Sequence, residues 1–197
     1  MNPLSTAFVV GHEASCGSCL DRSASPRARR EKREWIDEFP WHASEPVSSA
    51  VSDKSAEPMS YRAIENLIAT YSFLVDDADF AGLGELLDGA TFTVGATTVI
   101  GKAAVEQLAN DTFLLYEGSP RTRHVTTNLY IDVDERASTA VSRSYVTVFQ
   151  QTPGFPLQPV MTGRYRDRFE RRQGVWQFAE RVVGEELTGD LSHAVRT

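Results

Sequence analysis

His124 is the only histidine between His42 and His193. An imidazole exchanges protons near neutral pH more readily than any other ordinary side chain. His124 lies in Arg123–Val133, where alternation reads as a strand and places His124, Thr126, Asn128 and Tyr130 on one side. Such a polar face lines either a pocket or solvent, so His124 reads as a ligand-contacting base or as a hydrogen-bonded structural residue. Asp76 ends an apolar helical stripe beside Asp77 and reads as a catalytic carboxylate or as a helix-end residue in solvent. Tyr71, on the same stripe, is core or points its hydroxyl into a pocket. Asn128 orients a substrate oxygen or satisfies a strand end. Arg181 binds a substrate anion or pairs with a carboxylate such as Asp167 or Glu180.

Other chemistries have weaker support. Cys16-Gly-Ser-Cys19 with His12 upstream is half a zinc site or a redox pair at most, without a fourth ligand or a flanking βαβ unit. The simpler reading is a tail carrying two thiols. There is no phosphate loop, nucleophile elbow or HExxH run. Beyond residue 58 only His124 and His193 and no cysteine remain, so neither a metal nor a cofactor is expected.

The elements that must position these groups begin near residue 59. Tyr61, Ile64, Leu67, Ile68, Tyr71 and Leu74/Val75 recur at three and four, which predicts an amphipathic helix from a Ser60 N-cap to about Asp76. Asp79 can cap a short helix, Phe80–Leu87. Phe92–Ile100 reads as two strands around Gly95, and Gly101 leads into a third helix with Val105, Leu108, Thr112 and Leu115 on one face. Strands follow: Arg123–Val133, a turn at Asp134-Glu135-Arg136, Ala137–Gln150, a loop forced by Thr152-Pro-Gly-Phe-Pro, then Val160–Arg171 and Val175–Gly184 around Arg172-Gln173-Gly174. Arg164, Arg166 and Arg168 alternate with Tyr165, Asp167 and Phe169, giving one basic face, read as a solvated sheet face or dimer rim. Helices first and antiparallel strands afterwards predict an α+β fold, a curved sheet closed by helices around a pocket.

Residues 1–58 are rich in Ser, Pro, Ala and charge and read as a disordered extension. Arg22–Arg33 holds six basic residues against one acidic one, a solvated arm or one that touches an acidic partner. Met59-Ser60, directly before the first helix, also suits a translation start. Residues 189–197 read as a C-terminal tail. The 197-residue chain has a net charge of −7, which argues against nucleic-acid binding, and no apolar run of membrane-spanning length. With few cysteines and no signal segment, the expected location is cytoplasmic.

Three sets of residues carry a resemblance: Tyr71-x4-Asp76-x2-Asp79-Phe80; Arg123-His124-x3-Asn128; and Gly163-Arg164-Tyr165-x-Asp167-x-Phe169 with Gly174-x-Trp176-x4-Arg181. In this order, residues 61–186 resemble SnoaL-like domains of the nuclear transport factor 2-like superfamily. The resemblance implies a cone-shaped, curved mixed sheet with three helices enclosing a pocket, often in a homodimer formed through the sheet. In scytalone dehydratase and a lindane dehydrochlorinase of that group, an Asp ending the first helix pairs with a His on the strand after the third. The matching positions are Asp76 and His124. Val75 replaces a scytalone dehydratase tyrosine, and that enzyme's second active-site histidine has no match. The resemblance thus implies a cofactor-independent acid–base lyase or isomerase for a hydrophobic small molecule. Its catalytic pair would be Asp76 and His124, with Tyr71, Asn128 and Arg181 holding the substrate. The alternative is a non-catalytic binding or assembly module, like the small subunit of a ring-hydroxylating dioxygenase.

Overall fold

The computed structural model describes residues 57–196; the Cys16/Cys19 pair, the basic arm and the proposed disordered extension up to residue 56 lie outside them. Helix α1, Glu57–Asp76, follows from the three-and-four spacing, which puts Ile64, Ile68, Tyr71 and Val75 on its buried face. It starts before Ser60, so Ser60 is a buried first-turn residue rather than the cap. Beyond Asp76 the chain turns through Ala78 at φ 58° into α2, Phe80–Leu86, where Asp79 Oδ1 accepts from the Gly82 amide at 2.8 Å. Strands β1, Thr91–Val94, and β2, Thr97–Ile100, form the expected hairpin ahead of α3, Lys102–Thr112. Leu115 lies past the end of α3. Gly84 lets α2 meet α3: a Cβ there would sit 2.7 Å from the Lys102 carbonyl oxygen.

Four longer strands complete the sheet: β3 Thr122–Asp134, β4 Thr139–Thr152, β5 Phe155–Arg172 and β6 Val175–Thr188. The order is β2-β1-β6-β5-β4-β3, antiparallel throughout except where β1 runs parallel to β6. The sheet is mixed and curled but not closed, with β2 and β3 at its edges. The Thr152-Pro-Gly-Phe-Pro stretch makes a tighter connection than the sequence predicts, because Thr152 already pairs with Phe155 across Pro153-Gly154.

Register shifts interrupt the ladders between Thr127 and Tyr130, Val148 and Phe149, Thr162 and Gly163, and Arg168 and Phe169. Extra residues of this kind bend a strand and increase its twist, which curls the sheet around the helices. The inner face carries Val146, Val148, Tyr165, Phe169, Trp176 and Phe178, which share one buried core with Ile64, Ile68, Tyr71 and Val75 of α1 and Phe80 and Leu83 of α2. On the outer face Arg143 and Arg164 lie over Tyr130 and Tyr145, 5.5 and 5.2 Å from the ring centroids. The last residues are not a loose tail. Leu114 N donates to Ala194 O at 3.0 Å, Arg196 N donates to Thr112 O at 2.9 Å, and Val195 bridges Phe113.

Candidate functional site

Curling the sheet over three helices leaves a cavity of about 210 Å³. A cavity of ~150 Å³ lined by aliphatic and aromatic groups suffices for benzene, so this one suits a substituted ring. Val75, Leu83, Phe92, Leu108, Val148 and Val160 supply much of its apolar wall. Its polar groups include Thr122, His124, Tyr71 and Tyr165.

His124 lines the cavity and meets Asp76, which does not line it. His124 Nδ1 lies 2.6 Å from Asp76 Oδ1, and both side chains are over nine-tenths buried (7% and 8% exposed). Two further donors fix the carboxylate: the His124 amide to Oδ2 at 2.8 Å and Thr122 Oγ1 to Oδ1 at 2.8 Å. Burial pushes the Asp76 carboxyl up. The hydrogen bonds and charge of His124, with the Thr122 hydroxyl, outweigh that and hold it below the ordinary value. Asp76 is therefore an anion that can only accept. In the neutral imidazole the shared proton then sits on Nδ1, and Nε2 is the basic nitrogen.

The other predicted residues separate. Tyr71 lines the cavity. Arg181 does not: its side chain is fully buried, with the guanidinium 3.8 Å from the Tyr71 centroid and 4.0 Å from the Tyr165 centroid. Its countercharge is Asp167, with Nε 3.5 Å from Oδ1, while Ser142 Oγ donates to Oδ2 at 3.2 Å. Of the two sequence readings of Arg181, the carboxylate pair is the one seen. Burial raises Asp167 to about 6, even though Arg181 and Ser142 act to lower it. Asn128 is not brought to the site. It occupies the β3 bulge at φ 53°, exposed, and the parity of the strand flips there. Leu129, Ile131 and Val133 turn inward after it, and Tyr130 faces out at 48% exposure.

A family model for the SnoaL-like domain matches residues 57–182. The chain belongs to this family. Among curated proteins there is no match. Several solved structures share the fold. A proposed scytalone dehydratase from Novosphingobium aromaticivorans is 22% identical over 69% of this chain and 90% of its own, with a TM-score of 0.56. LinA is 24% identical over 69% of this chain and 92% of its own, at 0.56. An NTF2-like protein with a cystatin-like fold, also from Novosphingobium aromaticivorans, is 22% identical over 74% and 95%, at 0.56.

Within this SnoaL-like domain, sequence reasoning missed three contributors. Thr122 stands two residues before His124 on the same strand face, a spacing that could have paired it with the carboxylate. Tyr165 shares the inward parity of Asp167 and Phe169. Leu191, Ala194 and Val195 close one wall of the cavity, a role no local pattern announces. His193 pins that segment: its ring stacks on Phe155 at 4.5 Å, and its carbonyl accepts from Gln150 Nε2 at 2.8 Å and Tyr116 Oη at 3.1 Å. Among the described residues no group of three His, Cys, Asp or Glu is placed to hold a metal ion, and no helix is long and apolar enough to cross a membrane.

Proposed function

We propose that this cavity is the active site of a cofactor-independent lyase or isomerase that removes an acidic C–H proton from a hydrophobic small molecule. The observation that carries the reading is the 2.6 Å contact between an ionised, buried Asp76 and Nδ1 of His124, which lines an apolar cavity. His124 Nε2 takes the proton, and Asp76 orients the ring and stabilises the imidazolium that forms. The imidazolium then returns the proton to another carbon or to a leaving group. General base catalysis of this kind contributes on the order of 10²–10⁴-fold. A homodimer formed through the outer sheet face, in the cytoplasm, completes the proposal.

One observation favours the alternative, a binding module without chemistry. Asp76 also fastens the His124 amide and the Thr122 hydroxyl, as a purely structural aspartate would. The two readings part on a reporter of proton abstraction such as 5-nitrobenzisoxazole, a flat aromatic whose ring opens when one C–H proton is removed. The enzyme reading expects turnover above buffer that falls to background in His124→Gln. Equal rates in the two proteins, with His124→Gln still folded, would leave the binding module.

A further inference from the structure

We propose that Thr122 is a positioning residue for the base: its hydroxyl shares Asp76 Oδ1 with the His124 ring, which keeps the bridging proton on Nδ1 and leaves Nε2 bare. This role rests on the reading of His124 as a base and names what regulates it. Thr122 opens β3, two residues before His124 and on the same side of the strand. It is 1% exposed. Both residues line the cavity, whereas Asp76 does not. Pairing with Gln150 of β4 fixes the Thr122 backbone, so the sheet sets where its hydroxyl stands.

The donors to Asp76 are not spread evenly. Oδ1 takes both the Thr122 hydroxyl at 2.8 Å and the His124 ring at 2.6 Å, while Oδ2 takes the His124 amide at 2.8 Å. A carboxylate oxygen has about two lone-pair sites, so both on Oδ1 are used. The proton between Oδ1 and Nδ1 rests on the more basic atom. Burial makes the carboxylate more basic and draws that proton towards oxygen; the Thr122 hydrogen bond works against burial. The amide on Oδ2 opposes burial too, but any residue at position 124 except proline would supply it. Among the described residues the neighbouring charges do not replace the hydroxyl. Tyr71 on α1 and Tyr165 on β5 feel the Asp76 charge and are pushed by it further towards the neutral phenol. Arg181 on β6 is matched by Asp167. Asp77 and Arg123 are exposed, and Arg123 Nη1 donates to the Thr122 carbonyl at 2.6 Å.

Removing the hydroxyl leaves a stronger base at Oδ1. Thr122→Val keeps the branched shape and loses the donor. Asp76 then pulls harder on the ring proton and stabilises the imidazolium more. Nε2 keeps its proton to higher pH, and less free base is present at neutrality. One hydrogen bond to a charged acceptor corresponds to about 1–2 pH units on that acceptor. Part of this passes through the ring to Nε2, so His124 is expected to protonate about half a pH unit or more higher in the variant.

The test is nitrogen-15 and proton NMR of the His124 ring across pH, in the full chain as wild type, Thr122→Val and Thr122→Ser, with the pH profile of benzisoxazole turnover beside it. In Thr122→Val the one-bond coupling between Nδ1 and its proton is expected to fall. The ring titration and the acid limb of the profile are expected to move up together by about half a unit or more. Thr122→Ser restores the hydroxyl without the methyl and is expected to return these readouts to wild type. The role is overturned by a Thr122→Val ring that titrates within about 0.2 unit of wild type with its coupling unchanged. It is also overturned by Thr122→Ser behaving as Thr122→Val does. Should Thr122→Val not fold, Thr122→Cys takes its place: a thiol is a weaker donor, so a ring unchanged from wild type overturns the role there as well. The base and its positioning residue fail separately. The expected ring changes without turnover in wild type would sink the base and keep the hold of Thr122 on the proton. Turnover that is lost in His124→Gln, with a ring indifferent to Thr122→Val, would sink the role of Thr122 and keep the base.

Discussion

Replacing Asp76 by Asn keeps the shape of the side chain and removes its charge. The carboxylate accepts from the His124 ring, the His124 amide and Thr122 Oγ1. An asparagine can accept through Oδ1 alone, and its NH₂ then confronts donors. Hydrogen bonds to a charged group contribute roughly 1.5–3 kcal/mol each and are not additive. Removing one partner of a buried pair costs roughly 3–5 kcal/mol. An expected loss of about 2–4 kcal/mol follows once partial replacement by the amide is allowed for. The loss should depend on pH in a definite sense. Asp76 is more acidic folded than unfolded. Its stabilisation is therefore full above the unfolded value of about 3.9 and is lost as pH falls through the folded one. Urea denaturation at pH 7 and below pH 3 would measure the difference between wild type and Asp76→Asn. A gap of under about 0.5 kcal/mol at pH 7, below the range for one charged hydrogen bond, would refute the reasoning. So would a gap that does not shrink in acid.

Three further outcomes are expected. Arg181→Met alone should destabilise by about 3–5 kcal/mol, because Asp167 is left buried without its countercharge, and adding Asp167→Asn should restore most of that in urea denaturation. Asp167 shows the opposite pH dependence to Asp76: its rise from 3.8 to about 6 on folding means stability falls as pH climbs through that interval. At about 1.36 kcal/mol per pH unit this amounts to about 3 kcal/mol, and Asp167→Asn should flatten the stability profile between pH 4 and 6. Truncation after Asp190 removes Leu191, Ala194 and Val195 from the cavity wall. It should weaken binding of nitrobenzene by roughly tenfold while the sheet stays folded, as read by titration calorimetry and far-UV circular dichroism.

The helices were legible because α1 repeats its apolar residues at the helical period and Asp79 caps as its type suggests. Asp76 and His124 were legible as residues, since one ends that stripe and the other is the lone histidine of its strand. Their pairing was implied by family resemblance, not by local pattern. Asn128 was misplaced because strict alternation was carried across a bulge. The inward residues change parity there, from Thr122, His124 and Thr126 to Leu129, Ile131 and Val133, but the apolar residues Val125, Leu129, Ile131 and Val133 all stand at odd positions, so apolar spacing carried no signal of the switch. Arg181 was harder. Its seat between Tyr71 and Tyr165 is made by residues from α1, β5 and β6, and no spacing within one segment can report such a contact. The closing role of residues 191–195 is hidden for the same reason.

The central claim is that Asp76 holds His124 so that Nε2 is the base presented to the cavity. Nitrogen-15 and proton NMR of the His124 ring, in wild type and Asp76→Asn, tests it most directly. In the neutral ring the account predicts a proton on Nδ1, strongly deshielded by the short bond to Asp76, and a bare Nε2 whose signal responds to added nitrobenzene; the deshielded proton should vanish in Asp76→Asn. A proton found on Nε2, or an Nδ1 signal indifferent to the substitution, would contradict it.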